Sequence, residues 1–240
     1  MKFAIIAAGE GLRLAAEGVK EPKPLVTVGG ERLIDRLIRI FMANNADEVD
    51  VICNDHTNLV SQHLLYIEEN GLHGFPIPLQ MHVKNTPSSL HSFYALKPFL
   101  GTSPFVLTTV DTVFRENDFK LFVEAVGKAF AEGYDGVMGV TANLEQERPL
   151  YVETDEGGVI SNFSDKPAGS RAYIAAGVYA FTSKVFDSLA ASLQRGDVHR
   201  RQFLRELIDD KMRLKAMPFS KILDIDHAAD IKKAEIFLNE

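Results

Sequence analysis

Apolar residues fall into short runs along this chain, separated by turn-forming or charged residues, and their spacing alternates between strand-like and helix-like. Phe3 to Ala7 is a compact apolar run ending in Ala8-Gly9, the pattern of a buried strand entering a tight loop. From Arg32 onward, Leu33, Ile34, Leu37, Ile38 and Phe41 recur at spacings of three and four, which predicts a helix with one apolar face. The alternation continues with a strand at Val49 to Cys53, a helix from Asn58 to Glu69, a strand at Leu79 to Val83, a helix from Ser89 to Phe99 and a strand at Phe105 to Thr109.

After Asp111 the pattern predicts a helix near Asp118 to Ala131 and a strand at Gly136 to Thr141. Tyr151 to Thr154 and Val159 to Phe163 flank Asp155-Glu-Gly-Gly, whose glycines suit the positive φ of a hairpin turn. Strands at Tyr173 to Phe181, Met212 to Met217 and Ile222 to Ile225 follow, with a final helix from Ala228 to Leu238. Such a succession predicts α/β architecture, a mixed sheet with helices on both faces.

The composition bounds what this fold can do. The 240 residues are 46% hydrophobic and 25% charged, and no linker, low-complexity tract or internal repeat divides them, so residues 1–240 read as a single domain. No apolar run approaches the roughly 20 residues that cross a bilayer. One lysine and no small-residue cleavage pattern precede the first strand, which argues against a secretory signal. Cys53 is the single cysteine and admits no intramolecular disulfide, so a reducing cytoplasm is the expected compartment. A net charge of −7 argues against broad nucleic-acid binding, and anionic substrates would need cations gathered locally against that field. Nothing in the pattern bars a homo-oligomer.

Those cations appear beside a glycine-rich loop. In Ala7-Ala8-Gly9-Glu10-Gly11-Leu12-Arg13, Gly9 and Gly11 permit backbone N–H groups to approach phosphate oxygens closely. Leu14 stands where a dinucleotide fingerprint needs its third glycine, and the Gly-Lys-Ser/Thr of a P-loop is absent. Downstream, Pro22-Lys23-Pro24 restricts the backbone on both sides of Lys23, which can join Arg13 as a phosphate clamp. An ordinary turn with a surface lysine is the plain alternative for either segment alone.

Taken together, Ala7 to Arg13 and Pro22 to Leu25 resemble the opening of the sugar-phosphate nucleotidyltransferase family, Ala-Ala-Gly-x-Gly-x-Arg followed by Pro-Lys-Pro-Leu. The resemblance runs in family order from Ala7 to Asp230 and implies a three-layer α/β/α Rossmann-like nucleotidyltransferase domain with a mixed, predominantly parallel central sheet. It implies a nucleotide half in which Ala8, Gly9 and Gly11 cradle the NTP. Arg13 would neutralise departing pyrophosphate and Lys23 the charge at the α-phosphate. Asn85 and Ser89 lie in Lys84 to Leu90, at the place of the family's base-proximal Gly-Thr-Ala-x-Ala-Leu, from which Asn85 and Pro87 depart.

Asp111 follows the apolar run Phe105 to Val110, at the strand end where ligands of open sheets collect. Asp224 and Asp226 share one side of an extended segment that leads into a helix, where an aspartate also serves as an N-cap. The family's metal-binding aspartate stands at the place of Asp111, with Val110 replacing a glycine. Its Asp-Ile-Asp-Thr-x-x-Asp ending matches Asp224 to Asp230 with His227 in place of threonine. Mg²⁺ takes one or two carboxylates together with water and phosphates, which fits Asp111 with Asp224 as second ligand and Asp226 as its partner. The scattered histidines and lone cysteine make no zinc pattern.

On the acceptor side, Asp165-Lys166-Pro167 followed by Ala175-Ala-Gly177-Val-Tyr179 resembles the family's Glu-Lys-Pro and Ala-Gly-Ile-Tyr. That implies Lys166 at an acceptor phosphate and Gly177 in the acceptor site. The expected reaction joins an NTP to a phosphorylated small molecule, a sugar 1-phosphate first among acceptors, with release of pyrophosphate. Three readings compete with it. They are a phosphocholine cytidylyltransferase-like enzyme, which the Asn85 to Leu90 stretch also resembles, a non-catalytic nucleotide-sensing module, and an NAD-linked oxidoreductase. The missing third glycine opposes the last of these.

Overall fold

A computed structural model describes residues 1–142, 149–167 and 173–240 of the chain. It opens with β1 (Lys2–Ala7), the glycine loop and a one-turn-and-a-half helix α1 (Leu12–Ala16). A 3₁₀ turn at Lys23–Leu25 leads to the small hairpin β2 (Thr27–Val28) and β3 (Glu31–Arg32). Then come α2 (Leu33–Ala43), β4 (Glu48–Cys53), α3 (Asn58–Asn70) and β5 (Leu79–Val83). The predicted helix from Ser89 is split into α4 (Ser89–Ala95) and α5 (Lys97–Leu100), because Pro98 removes a donor in the first turn of the second piece.

Next are β6 (Phe105–Thr109), β7 (Thr112–Phe114), α6 (Glu116–Ala131), β8 (Gly136–Thr141), β9 (Tyr151–Thr154), β10 (Ile160–Ser164) and β11 (Tyr173–Phe181). The chain ends with α7 (Val185–Gln194), α8 (Arg200–Asp209), β12 (Leu214–Phe219), β13 (Ile222–Asp224) and α9 (Ala228–Asn239). Of the two glycines expected to supply positive φ at the β9–β10 turn, Gly158 does so, while Asp155 Oδ1 accepts a hydrogen bond from Val159 N at 2.8 Å.

The main sheet runs β5-β4-β1-β6-β11-β8-β12, with the β9–β10 hairpin paired to the start of β11. β5, β4, β1 and β6 are mutually parallel, and β8 and β12 share their direction; β11 is the one reversed strand in that row. The sheet is therefore mixed and predominantly parallel.

Strand β1 shows why helices cover both faces. Phe3, Ile5 and Ala7 point into one apolar cluster with α2, α3, α6 and α9, while Ala4 enters a second with α4, α5, α7 and α8. Phenylalanines bind each layer, as in Phe3 with Phe41 at 4.9 Å between ring centroids on one face and Phe105 with Phe186 at 5.4 Å on the other. Among the described residues no helix is long and apolar enough to cross a membrane.

Candidate active site

Three parallel strands, β1, β4 and β6, end side by side, and the loops that follow them make the floor of a cleft. Asn54, buried just beyond β4, donates from Nδ2 to the Ala8 carbonyl at 2.9 Å and so fixes the glycine loop from beneath. Gly11 has φ +65°, and a Cβ on it would stand 3.2 Å from Lys23 Cβ. Glycine there serves both the left-handed turn and the close passage of Lys23.

Lys23 enters the cleft from the 3₁₀ turn, preceded by extended Pro22. Its side chain is 11% exposed, and Nζ donates to Asp111 Oδ2 at 2.6 Å and to Asp226 Oδ1 at 2.9 Å. Arg13 Nη1 lies 3.5 Å from the other oxygen of Asp226. The phosphate-clamp pair and two of the three acids thus form one linked group.

A short antiparallel ribbon brings these acids together from distant parts of the sequence. β7 pairs with β13 so that Thr112 faces Asp224, and Ile225 N donates to the Asp111 carbonyl at 3.0 Å. Thr112 Oγ1 donates to Asp224 Oδ1 at 3.5 Å. Burial works against the charge of Asp111, but the Lys23 ammonium, with a hydrogen bond from Thr109, holds its carboxyl below the ordinary range. For Asp224, burial and then the neighbouring Asp111 charge push the carboxyl up to about 7. Burial likewise opposes the Lys23 ammonium, and its two carboxylate partners raise it regardless.

Two cavities meet at this group, sharing Ser89, Thr109 and Asp111. The first, about 450 Å³, is lined by Ala8, Gly9, Gly11, Lys23, Asn54 and Thr86 among others. The second, about 570 Å³, takes in Asp224, Asp226 and the start of α8. Ala8, Gly9, Gly11, Lys23, Ser89, Asp111, Asp224 and Asp226 are therefore brought to one cleft, and Arg13 lines an adjoining opening with Gly11 and Lys23.

Three expected site residues stand apart. Asn85 turns to Asp55, whose N–H it accepts at 3.1 Å and whose Oδ1 it donates to at 2.5 Å, and it lines neither cavity. Gly177 is buried behind Thr109 and Thr112, in a bulge where β11 shifts register against β8. Lys166 lies exposed in the turn after β10, outside both cavities. Its neighbour Asp165 binds Arg201 at 3.1 Å and Arg205 at 2.7 Å, which fastens the turn to α8.

The sequence reading passed over Arg200, the first residue of α8, which lines the second cavity. Its guanidinium stands 5.8 Å from the Tyr179 ring centroid, and the Tyr179 hydroxyl, Asp224 and Asp111 raise its affinity for its proton. The run His199-Arg200-Arg201 was the available signal, since a chain of net charge −7 that handles anions must cluster cations somewhere. His56 was missed as well; it faces Glu10 across the first cavity at 3.2 Å.

The chain is similar to known proteins in sequence and in fold. The family model described as nucleotidyl transferase matches residues 2–239. A glucose-1-phosphate cytidylyltransferase of Salmonella typhi is 21% identical over 203 residues, covering 78% of this chain and 77% of that protein. The bifunctional protein GlmU of Methanococcus aeolicus is 26% identical over 223 residues, covering 88% of this chain but 47% of its own length. Among solved structures, the inositol-1-phosphate CTP transferase from T. maritima superposes with a TM-score of 0.77 at 19% identity, covering 100% of this chain and 96% of that one. UDP-glucose pyrophosphorylase complexed with UDP-glucose gives 0.78 at 16% identity, covering 98% and 97%. At such identities these structures speak for the fold, whereas the family match extends from β1 to the end of α9: the chain belongs to the nucleotidyl transferase family.

Proposed function

We propose that this protein transfers a nucleoside monophosphate from an NTP to the phosphate of a sugar 1-phosphate, releasing pyrophosphate. The observation that carries the reading is Lys23, held between Asp111 and Asp226 where the glycine-loop cavity meets the cavity of Arg200. A nucleotide in the first cavity and a phosphorylated acceptor in the second would meet at Lys23 and Asp111. The relatives named above support the acceptor class, since glucose 1-phosphate and inositol 1-phosphate appear in their descriptions.

In this scheme an acceptor phosphate oxygen attacks the α-phosphorus in line, the new P–O bond forms, and the bond to the β-phosphate breaks. The acceptor is already ionised, so the chain need supply no general base. Its task is placement and charge. Lys23 stabilises charge on the α-phosphate, Arg13 faces the departing pyrophosphate, and Arg200 offers a fork of donors to the acceptor phosphate.

The donor set also suits a hard divalent cation. Among the described residues no three acidic, histidine or cysteine side chains form a ready-made metal cage. Mg²⁺ does not require one, because water and phosphate oxygens complete its shell. Asp226 meets two cations, Lys23 and Arg13, whereas Asp111 meets Lys23 and stands against the Asp224 charge, and this repulsion between Asp111 and Asp224 supports them as the pair that would hold Mg²⁺. Bound there, Mg²⁺ would neutralise phosphate charge during transfer. Burial pushes the Cys53 thiol up to about 11, which leaves it unreactive and outside the chemistry of the cleft.

A pyrophosphate-release screen of four NTPs against sugar 1-phosphates and phosphocholine tests this reading. Release with one NTP and a sugar 1-phosphate, together with the matching nucleotide-sugar, is expected. Silence throughout, or release with phosphocholine alone, would overturn it.

A further inference from the structure

The segment that carries Asp226 is anchored at three points. Ile225 N donates to the Asp111 carbonyl at 3.0 Å. Asp226 N and His227 N both donate to Asp230 Oδ2, at 3.2 and 2.9 Å, closing the first turn of α9 on itself. The third anchor comes from the other end of the chain. Glu17 Oε2 accepts Ala228 N at 2.7 Å, and Glu17 Oε1 meets His227 Nδ1 at 2.5 Å. One carboxylate grips both the backbone and the side chain at the start of α9.

Glu17 is the residue that closes α1, and it stands four positions after Arg13, so both side chains leave one face of that turn. Arg13 reaches Asp226 while Glu17 holds the two residues that follow it. Gly18, at φ +89°, then lets the chain turn back toward Pro22 and Lys23. The glycine-loop helix and the acidic segment are therefore joined twice, once through each sign of charge. The His227 contact and the Ala228 N–H together lower the proton affinity of Glu17, in keeping with an ionised clamp.

We infer that Glu17 is a positioning residue for nucleotidyl transfer: through His227 and Ala228 it fixes Asp226 in register with Arg13 and Lys23, without touching either substrate. It lines neither main cavity. The inference rests on the transfer reaction proposed above, and on geometry that can be measured without it.

The test uses E17A, E17Q and the double variant E17A/D226N in the full-length chain. Hydrogen–deuterium exchange without substrates should show faster exchange across residues 224–232 in E17A, with the central strands unchanged. In E17Q the amide oxygen can still accept from Ala228 N, and exchange there should return most of the way to wild type. With the NTP and acceptor found by the pyrophosphate screen, E17A should lose about ten- to a hundredfold in kcat, the scale of a small misplacement. Both KM values should stay within about twofold, as expected when the loss falls on the transition state. E17A/D226N should be no slower than D226N, because Glu17 acts through Asp226.

Unchanged exchange in E17A would overturn the clamp whatever the reaction is. Faster exchange with wild-type kcat, or a double variant whose losses multiply, would overturn the positioning role. A wild-type protein that turns over no NTP and acceptor pair would instead sink the transfer reaction itself, and the exchange experiment would still decide whether the clamp exists.

Discussion

Gly177 presses against Thr112 so closely that a Cβ on it would fall 2.2 Å from Thr112 Oγ1, and 2.5 Å from Thr109 Oγ1. The two hydroxyls are themselves hydrogen-bonded at 2.8 Å, and between them in sequence lies Asp111. The glycine thus supports the turn that presents Asp111, by letting β11 pass directly behind it.

Gly177→Ala should therefore disturb stability and activity together. Overpacking of this kind costs about 1–3 kcal/mol, which for a chain of this length lowers Tm by roughly 2–12 °C. Because the displaced atoms flank Asp111, kcat should fall even at temperatures where the variant is fully folded. Thermal unfolding and steady-state rates on the same sample check this. An alanine variant with wild-type Tm and kcat would mean that β11 yields without moving the threonines.

Lys23 offers a sharper test of the charge arrangement. Lys23→Ala leaves Asp111 and Asp226 without the ammonium that lies between them, so the site gains unbalanced negative charge where an anionic NTP must enter. The maximal rate should fall by about a hundredfold or more, the scale of losing a charged transition-state contact. Saturation kinetics in NTP decide the matter. If affinity alone changed and the saturated rate did not, Lys23 would bind the ground state and have no special role in transfer.

The paired acids should not be equivalent. Asp226 faces two cations, whereas Asp224 sits against Asp111 with its carboxyl pushed up to about 7 by burial and that neighbour's charge. If Asp111 and Asp224 hold Mg²⁺, Asp224→Asn should slow turnover more than Asp226→Asn, and excess magnesium should partly restore the former. Initial rates across a magnesium titration separate the two. Equal rates, or a reversed order, would move the second ligand to Asp226.

How far these features could be read beforehand depended on their length and locality. The alternation of Phe3, Ile5 and Ala7 with Ala4, and the three-four spacing of Leu33 to Phe41, are local patterns, and both elements stand as the sequence predicts. β13 lies within the predicted strand Ile222 to Ile225, but β7 has three residues, too few to show a period, and it is the long-range pairing of the two that sets Asp224 beside Asp111. α8 was hidden differently: its apolar stripe is Phe203, Leu204 and Leu207 among five charged residues, and it carries Arg200 to the cleft. Thr86 to Ser89 of the Asn85 loop line the first cavity, whereas the Asn85 side chain pairs with Asp55, a long-range contact that no local pattern shows.

The last prediction separates Arg200 from Lys166 at the acceptor end. Arg200 lines the second cavity beside Asp111 and Asp224, and a guanidinium there can meet a phosphate with two parallel hydrogen bonds. Lys166 lines neither cavity and lies in a turn that the Asp165 pairs with Arg201 and Arg205 hold against α8. Arg200→Ala should raise the acceptor KM by about ten- to a hundredfold, the range for losing hydrogen bonds to a charged group, and Lys166→Ala should raise it less. NTP binding should be nearly unchanged in both, since the glycine-loop cavity contains neither residue. Calorimetric titration with each substrate separately gives the comparison. A larger acceptor defect in Lys166→Ala would mean that the turn after β10 folds over the bound acceptor. A variant of either residue that lost NTP affinity and kept acceptor affinity would reverse the assignment of the two cavities.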